Sequence, residues 1–123
     1  MTKEEIICTY WSDIDKQNWN NLATYFTAEA TISWPNTTEL LTVDDFVNVN
    51  RYYPGNWTIE VLRLFSCGDN HCSITRVSSQ SASYHALSFF SFQTNLISNL
   101  EEYWSEDAPP PSWRANKYLR KDD

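Results

Sequence analysis

Two glutamates stand side by side in "LISNLEEYWSED", Leu96 to Asp107, a stretch that reads as a β-strand. Successive side chains of a strand point to opposite faces, so Glu101 and Glu102 cannot share an environment. Leu100 and Trp104 have the parity of Glu102, and on the preceding strand Ser88 and Phe90 share a face. A carboxyl hemmed in by such side chains is poorly solvated. Desolvation disfavours its charged form and raises its pKa toward neutrality, which suits a general acid or base. The same carboxyl supplied with donors, from Tyr10, an indole N–H or Arg114 folding back, is a satisfied buried acid with nothing to act on.

Few other side chains offer chemistry. The histidines are His71, expected at an exposed hairpin, and His85, one step from Ala86 on a strand. The three cysteines, Cys8, Cys67 and Cys72, argue against a disulfide framework by their odd number. A two-residue turn at Asp69-Asn70 would set Cys67 and Cys72 opposite each other, open to a disulfide or to a metal site with His71. No fourth ligand accompanies that site, so reduced, packed cysteines are expected. The glycines are Gly55 and Gly68, too few for a phosphate cradle, and no "HExxH" or nicotinamide fingerprint occurs. No cofactor and no metal are implied.

These residues must be positioned by elements that the spacing predicts. Thr2 and Glu5 form a capping box for a helix running to about Lys16, with Ile7, Tyr10, Trp11 and Ile14 at helical intervals. A second short helix follows, with Asn18 as its cap and Trp19, Leu22, Ala23 and Phe26 on one stripe. "EATISWP" then alternates as a strand that Pro35 ends. Thr42 caps a third helix through "VDDFVNVNRYY", and Pro54-Gly55 marks a turn. Four strands remain: "WTIEVLRLFSC", "HCSITRVSS", "SYHALSFFSF" and "ISNLEEYW". Pro109, Pro110 and Pro111 make an extended spacer, and the last residues are expected to fray. Helices followed by an antiparallel meander specify an α+β fold, with helices covering one face of a curved sheet.

The 123 residues suffice for one domain with a real core. Aromatic residues make up 15 %, enough to line a pocket as well as fill a core. Net charge is −7 and the nine Lys and Arg form no basic stripe, which speaks against nucleic acid. No run approaches a membrane span, and the acidic start "MTKEEII" lacks a signal-peptide core, so a cytoplasmic protein is expected. Strands that are apolar on both faces pose a separate question. In "HALSFFSF", Leu87 and Phe89 lie on one side while Ala86, Phe90 and Phe92 lie on the other. One layer of helices buries only one side, so a homodimer through the outer sheet face is expected.

The ordered set "DIDKQNWNNLATYFTAEATISWP", "YYPGNW", "SFFSFQTNLISNLEEYW" and "PPPSWR" resembles the SnoaL-like branch of the NTF2-like superfamily. The resemblance implies a cone of N-terminal helices packed on a curved, mainly antiparallel sheet that encloses a pocket. It places a domain at 1–108 and a proline-containing tail at 109–123. Family members include polyketide cyclases, steroid isomerases, limonene-epoxide hydrolases and dehydratases, so fold is implied more firmly than reaction.

Matching positions to the steroid isomerases sets Tyr10 at the oxyanion-hole tyrosine, Trp34 at the general-base aspartate, and Ser88 at the second oxyanion donor. Tryptophan cannot abstract a proton, which argues against steroid isomerisation. The epoxide-hydrolase triad fails because Arg63 and Arg76 lack flanking aspartates, and a dehydratase-type pair would have to use His85. The same resemblance puts Leu100, Glu102 and Trp104 on the concave face, pairs Ser88 with Glu102, and requires a three-residue loop at Thr94-Leu96. A two-residue loop would pair Ser88 with Glu101 and reverse the answer. Under the implied register Glu102 shuttles a proton and Tyr10 stabilises an oxyanion. Trp34, Tyr53, Trp57, Ser88, Phe90, Leu100 and Trp104 shape a pocket for an apolar or aromatic small molecule. A non-catalytic ligand carrier or dimerising scaffold is the alternative.

Overall fold

The computed structural model describes residues 1–117, so the expected fraying of the last residues lies outside the described part. Helix α1 (Lys3–Asp15) begins as its capping box demands: Thr2 N–H donates to Glu5 at 2.8 Å and Glu5 N–H to the Thr2 hydroxyl at 3.1 Å. Helix α2 (Trp19–Leu22) is a single turn, followed by a 3₁₀ turn at Ala23–Tyr25. The expected second helix is therefore shorter than its apolar stripe suggested. Phe26 opens strand β1 (Phe26–Trp34) instead of closing a helix. Asn18 makes no side-chain cap; its amide donates to the buried Asp13 at 3.0 Å, and the Tyr25 hydroxyl donates to the other Asp13 oxygen. Those bonds fold α2 back onto α1, and the satisfied carboxylate outweighs helical continuation.

After a 3₁₀ turn at Pro35–Thr37 comes β2 (Glu39–Thr42), a four-residue edge strand that alternation in the sequence is too short to announce. Thr42 caps α3 (Val43–Tyr52) by accepting from Asp45 N–H at 3.1 Å. Four longer strands complete the sheet: β3 (Thr58–Cys67), β4 (Asn70–Ser78), β5 (Ser83–Gln93) and β6 (Leu96–Glu106). Their order is β2-β1-β6-β5-β4-β3, antiparallel throughout except for the parallel β1–β6 pair. Phe26 to Thr31 of β1 run beside only Ile97 to Asn99 of β6, an irregularity that bends the sheet. Beyond β6, residues 112–117 form a turn.

Two hairpins differ from expectation. The β3–β4 turn is Gly68-Asp69, with Cys67 opposite Asn70 and Phe65 opposite Cys72. Gly68 has φ of 59°, the left-handed backbone that glycine adopts without strain, and this moves the turn one residue toward the N-terminus. The cysteines are thus out of register and all three are free; Cys72 alone is buried. The β5–β6 loop has two residues, Thr94-Asn95, not three, since Gln93 pairs with Leu96 and Phe92 with Ile97. The register then slips by one residue at Ser98, so that Ser91 meets Asn99, Phe90 meets Leu100 and Ser88 meets Glu102. A β-bulge supplies the residue that the loop does not. Its Ser98 hydroxyl donates back to Ser91 O at 3.2 Å.

The core lies between α1, α3 and the concave face, and Tyr10 is its hub. Trp11, Phe90 and Phe26 meet its ring edge-to-face with centroids 4.9, 5.3 and 6.1 Å away, and Phe46 stacks at 6.3 Å. Trp11 also donates its indole N–H to the buried Ser73 hydroxyl at 3.0 Å, which pins α1 to β4. At the far end Ile59 N–H donates to Asp15 at 2.9 Å, tying the start of β3 to the end of α1. No helix among the described residues is long and apolar enough to cross a membrane.

Candidate functional site

Helix α1 and strands β1, β5 and β6 together deliver the site, through Tyr10, Trp34, Ser88 and Glu102. The bulge at Ser98 sets the parity of β6, so Glu102 faces inward and is 1 % exposed, while Glu101 sits on the outer face beside the Tyr103 hydroxyl, 3.1 Å away. Ser88, directly across the ladder, donates to Glu102 Oε2 at 2.8 Å, and Tyr10 donates to the same oxygen at 3.3 Å. Trp34, the last residue of β1 before Pro35, donates its indole N–H to Oε1 at 3.1 Å. The three positions matched to isomerase catalytic groups thus converge on a carboxyl that those groups do not include. Arg114 does not fold back; its guanidinium lies over the Trp113 ring, 5.2 Å from the centroid.

Burial is the main influence on Glu102 and raises its pKa above the usual carboxylate value. Hydrogen bonds from Ser88, Trp34, Tyr10 and Trp104 pull in the opposite direction without cancelling it. Tyr10 is pushed well above a normal tyrosine by burial and then by the Glu102 charge and hydrogen bond, so it remains a protonated donor.

Above Glu102 opens a cavity of about 320 Å³. Tyr10, Trp34, Tyr53, Trp57, Glu102 and Trp104 line it. Ser88, Phe90 and Leu100 do not: each is fully buried, and the Phe90 ring meets that of Tyr10 edge-to-face. Their parity is the concave one, but they lie under the residues that the ligand space touches. Trp19, Phe46, Asn36, Glu39, Asn50 and Tyr84 also line the cavity and were not expected there. Tyr84 was legible, because it has the parity of Ala86 and Ser88. Asn36 and Glu39 were not, since they follow Pro35, where alternation stops. Asn36 accepts from Trp104 N–H at 2.9 Å and so draws the 3₁₀ turn over the hollow.

The rim is built by the "YYPGNW" turn. Tyr53 and Trp57 stack with centroids 5.2 Å apart, and Trp57 leans on Tyr84 at 5.9 Å. Gly55 has φ of 103°, and a Cβ there would stand 3.2 Å from Trp57 Nε1, so glycine lets the turn close over the indole.

The histidines lie apart from the hollow. His71 is on β4, not at a turn, with its Nε2 3.5 Å from Glu4 of α1. His85 is on the outer face against Asp107, which also accepts from Ser83. Burial pushes the Asp107 carboxyl up, but those hydrogen bonds and the His85 and Arg76 charges outweigh it and hold the pKa below normal. Among the described residues no group of three His, Cys, Asp or Glu side chains could hold a metal ion.

Comparison with solved structures decides the fold. A protein of Kribbella flavida DSM 17836, a candidate ketosteroid isomerase by name, superposes with a TM-score of 0.83 at 21 % identity, over 98 % of this chain and 90 % of its own. An NTF-2 like protein of unknown function from Burkholderia xenovorans LB400 gives 0.81 at 15 %, over 98 % and 95 %. The chain has the NTF2-like fold. A hypothetical protein with a ketosteroid isomerase-like protein fold from Catenulispora acidiphila DSM 44928, in complex with trimethylamine, gives 0.68 at 16 %, over 85 % and 88 %. Candidate SnoaL-like polyketide cyclases are among the same matches. No family model and no curated protein matches the sequence.

Proposed function

We propose that this NTF2-like chain binds a small, largely apolar molecule in the aromatic hollow and exchanges a proton with it through Glu102. The observation that carries the reading is a cavity of about 320 Å³ with a buried carboxyl of raised pKa at its floor. Small-molecule sites begin at about that volume. Glu102 takes or returns the proton, and Tyr10, kept protonated, can turn its hydroxyl from Glu102 toward an oxygen on which charge develops. The chemistry is of the isomerase, cyclase or lyase kind and needs no cofactor. Trp34, Tyr53, Trp57 and Trp104 shape the ligand space, while Ser88, Phe90 and Leu100 support it from behind. That a neighbour of the same fold is in complex with trimethylamine supports the use of this architecture for small organic ligands.

The titration of Glu102, followed by carbon-13 NMR, tests the proton-transfer role. A midpoint well above about 4.3, the unperturbed glutamate value, is expected, and a midpoint at that value removes the general base. A second reading, ligand binding without catalysis, draws on the donors from Ser88, Tyr10 and Trp34 that already occupy the Glu102 oxygens. Both readings include a homodimer through the outer sheet face and a cytoplasmic address, the latter supported by three free thiols.

A further inference from the structure

Glu102 is buried and accepts from Ser88, Tyr10 and Trp34, yet no cation stands against it among the described residues. The Trp34 indole N–H can only donate, and with the Ser88 and Tyr10 hydroxyls donating as well all three bonds are made to the ionised form, whereas the neutral acid must turn one hydroxyl into an acceptor. Buried charges are ordinarily paired. Here the space where a counter-charge would stand is the hollow itself. Among the described residues its lining carries two charged side chains, Glu39 and Glu102, both acidic, and no Lys, Arg or His. The rings of Trp34 and Trp104 stand against Glu102, and those of Trp57 and Tyr84 continue the aromatic wall toward the rim. An uncompensated anion at the base of an aromatic box is the chemistry that attracts an organic cation.

From this we infer that the hollow takes a methylated ammonium group, held by the Glu102 field and the surrounding rings. The inference rests on the reading of the hollow as a ligand site, but not on proton transfer by Glu102. Methylation follows from the hydrogen bonds. Glu102 Oε2 already receives two donors and Oε1 at least one, which leaves little lone-pair capacity for the N–H groups of a primary ammonium. A trimethylammonium group asks for no acceptor. It spreads its charge over methyl groups that pack against rings, at little desolvation cost compared with a primary ammonium. The exposed Glu39 on the rim and the overall charge of −7 favour approach of a cation.

The test uses three probes of like size against the full chain, with indole fluorescence or calorimetry as the readout: choline, its uncharged carbon counterpart 3,3-dimethylbutan-1-ol, and ethanolamine. Sodium chloride matches the ionic strength across the arms. Choline is expected to bind at least about tenfold more tightly than either of the others, as a desolvated cation–π site provides. Glu102→Gln should reduce that preference over the alcohol severalfold. Trp57→Leu, at the rim, should weaken choline more than the alcohol and serves should the first variant fail to fold. If the alcohol binds as well as choline, the cation assignment falls while the ligand site stands. Equal binding of ethanolamine overturns the methylated class, and a choline preference untouched in both variants overturns the assigned contacts. Binding of none of the three overturns the inference together with the ligand-site reading.

Discussion

At the residue scale the site depends on one carboxyl kept dry and surrounded by donors. Ser88→Ala removes the shortest of its bonds without opening a large cavity. A hydrogen bond to a charged group contributes about 1.5–3 kcal/mol, so a loss of that order is expected in urea denaturation at neutral pH. The pH dependence has a definite sign. The folded pKa of Glu102 is raised, so in the window above the ordinary glutamate range the folded state binds more protons than the unfolded state. Stability attributable to Glu102 is therefore greatest at low pH and declines as pH rises through the folded pKa. Glu102→Gln does not titrate, so the stability difference between wild type and variant should change across that window in the wild type's disfavour. A difference that is flat with pH would contradict a raised pKa. In any assay of turnover, Tyr10→Phe should lower kcat more than it raises KM, since its proposed bond strengthens in the transition state.

At the scale of elements, the decisive feature is the pairing of a tight hairpin with a bulge. A two-residue Thr94-Asn95 turn alone would face Glu101 inward; the slip at Ser98 restores Glu102. Deleting Ser98 should therefore force a choice between losing the tight turn and burying Glu101, with a cost of several kcal/mol or outright failure to fold, as a one-residue slip reverses both faces. Circular dichroism and chemical denaturation would show it. Thr94→Gly should act oppositely. Thr94 has φ of 57°, where a β-branched residue carries about 1–2 kcal/mol of strain, partly offset by the greater chain entropy of glycine. A net change near zero or slightly stabilising is expected, with the register unchanged. The caps were legible because Thr2, Glu5, Thr42 and Asp45 act within one turn of chain. Strand β2 was not, since four residues beside a bent partner depend on that partner.

For the molecule as a whole, the outer face is the unresolved surface in chemical terms. Leu87 pairs with Tyr103 and with Ile74, and Phe89 pairs with Glu101 and meets the Tyr103 ring edge-to-face at 6.3 Å. Tyr103 remains 40 % exposed, and no helix among the described residues covers this side. In the proposed homodimer a second copy covers it. Sedimentation equilibrium should give twice the chain mass at micromolar concentration, and Leu87→Glu should return the monomer with its helical signal intact. A wild-type monomer throughout that range would remove the dimer.

Read alone, the sequence determined helices α1 and α3, the five longer strands, the α+β class, and which residues share a face along the uninterrupted runs of each strand. Those properties are local: caps, alternation and turn chemistry act over a few residues. Tertiary structure decided what meets across strands. It placed Ser88, Tyr10 and Trp34 on one carboxyl, moved Phe90 and Leu100 behind the hollow, and brought Asn36 and Glu39 to its mouth. Register is a relation between distant segments, and a single bulge at Ser98 changes it, so that Ile97 and Leu100 both enter the core although strict alternation would send them to opposite faces.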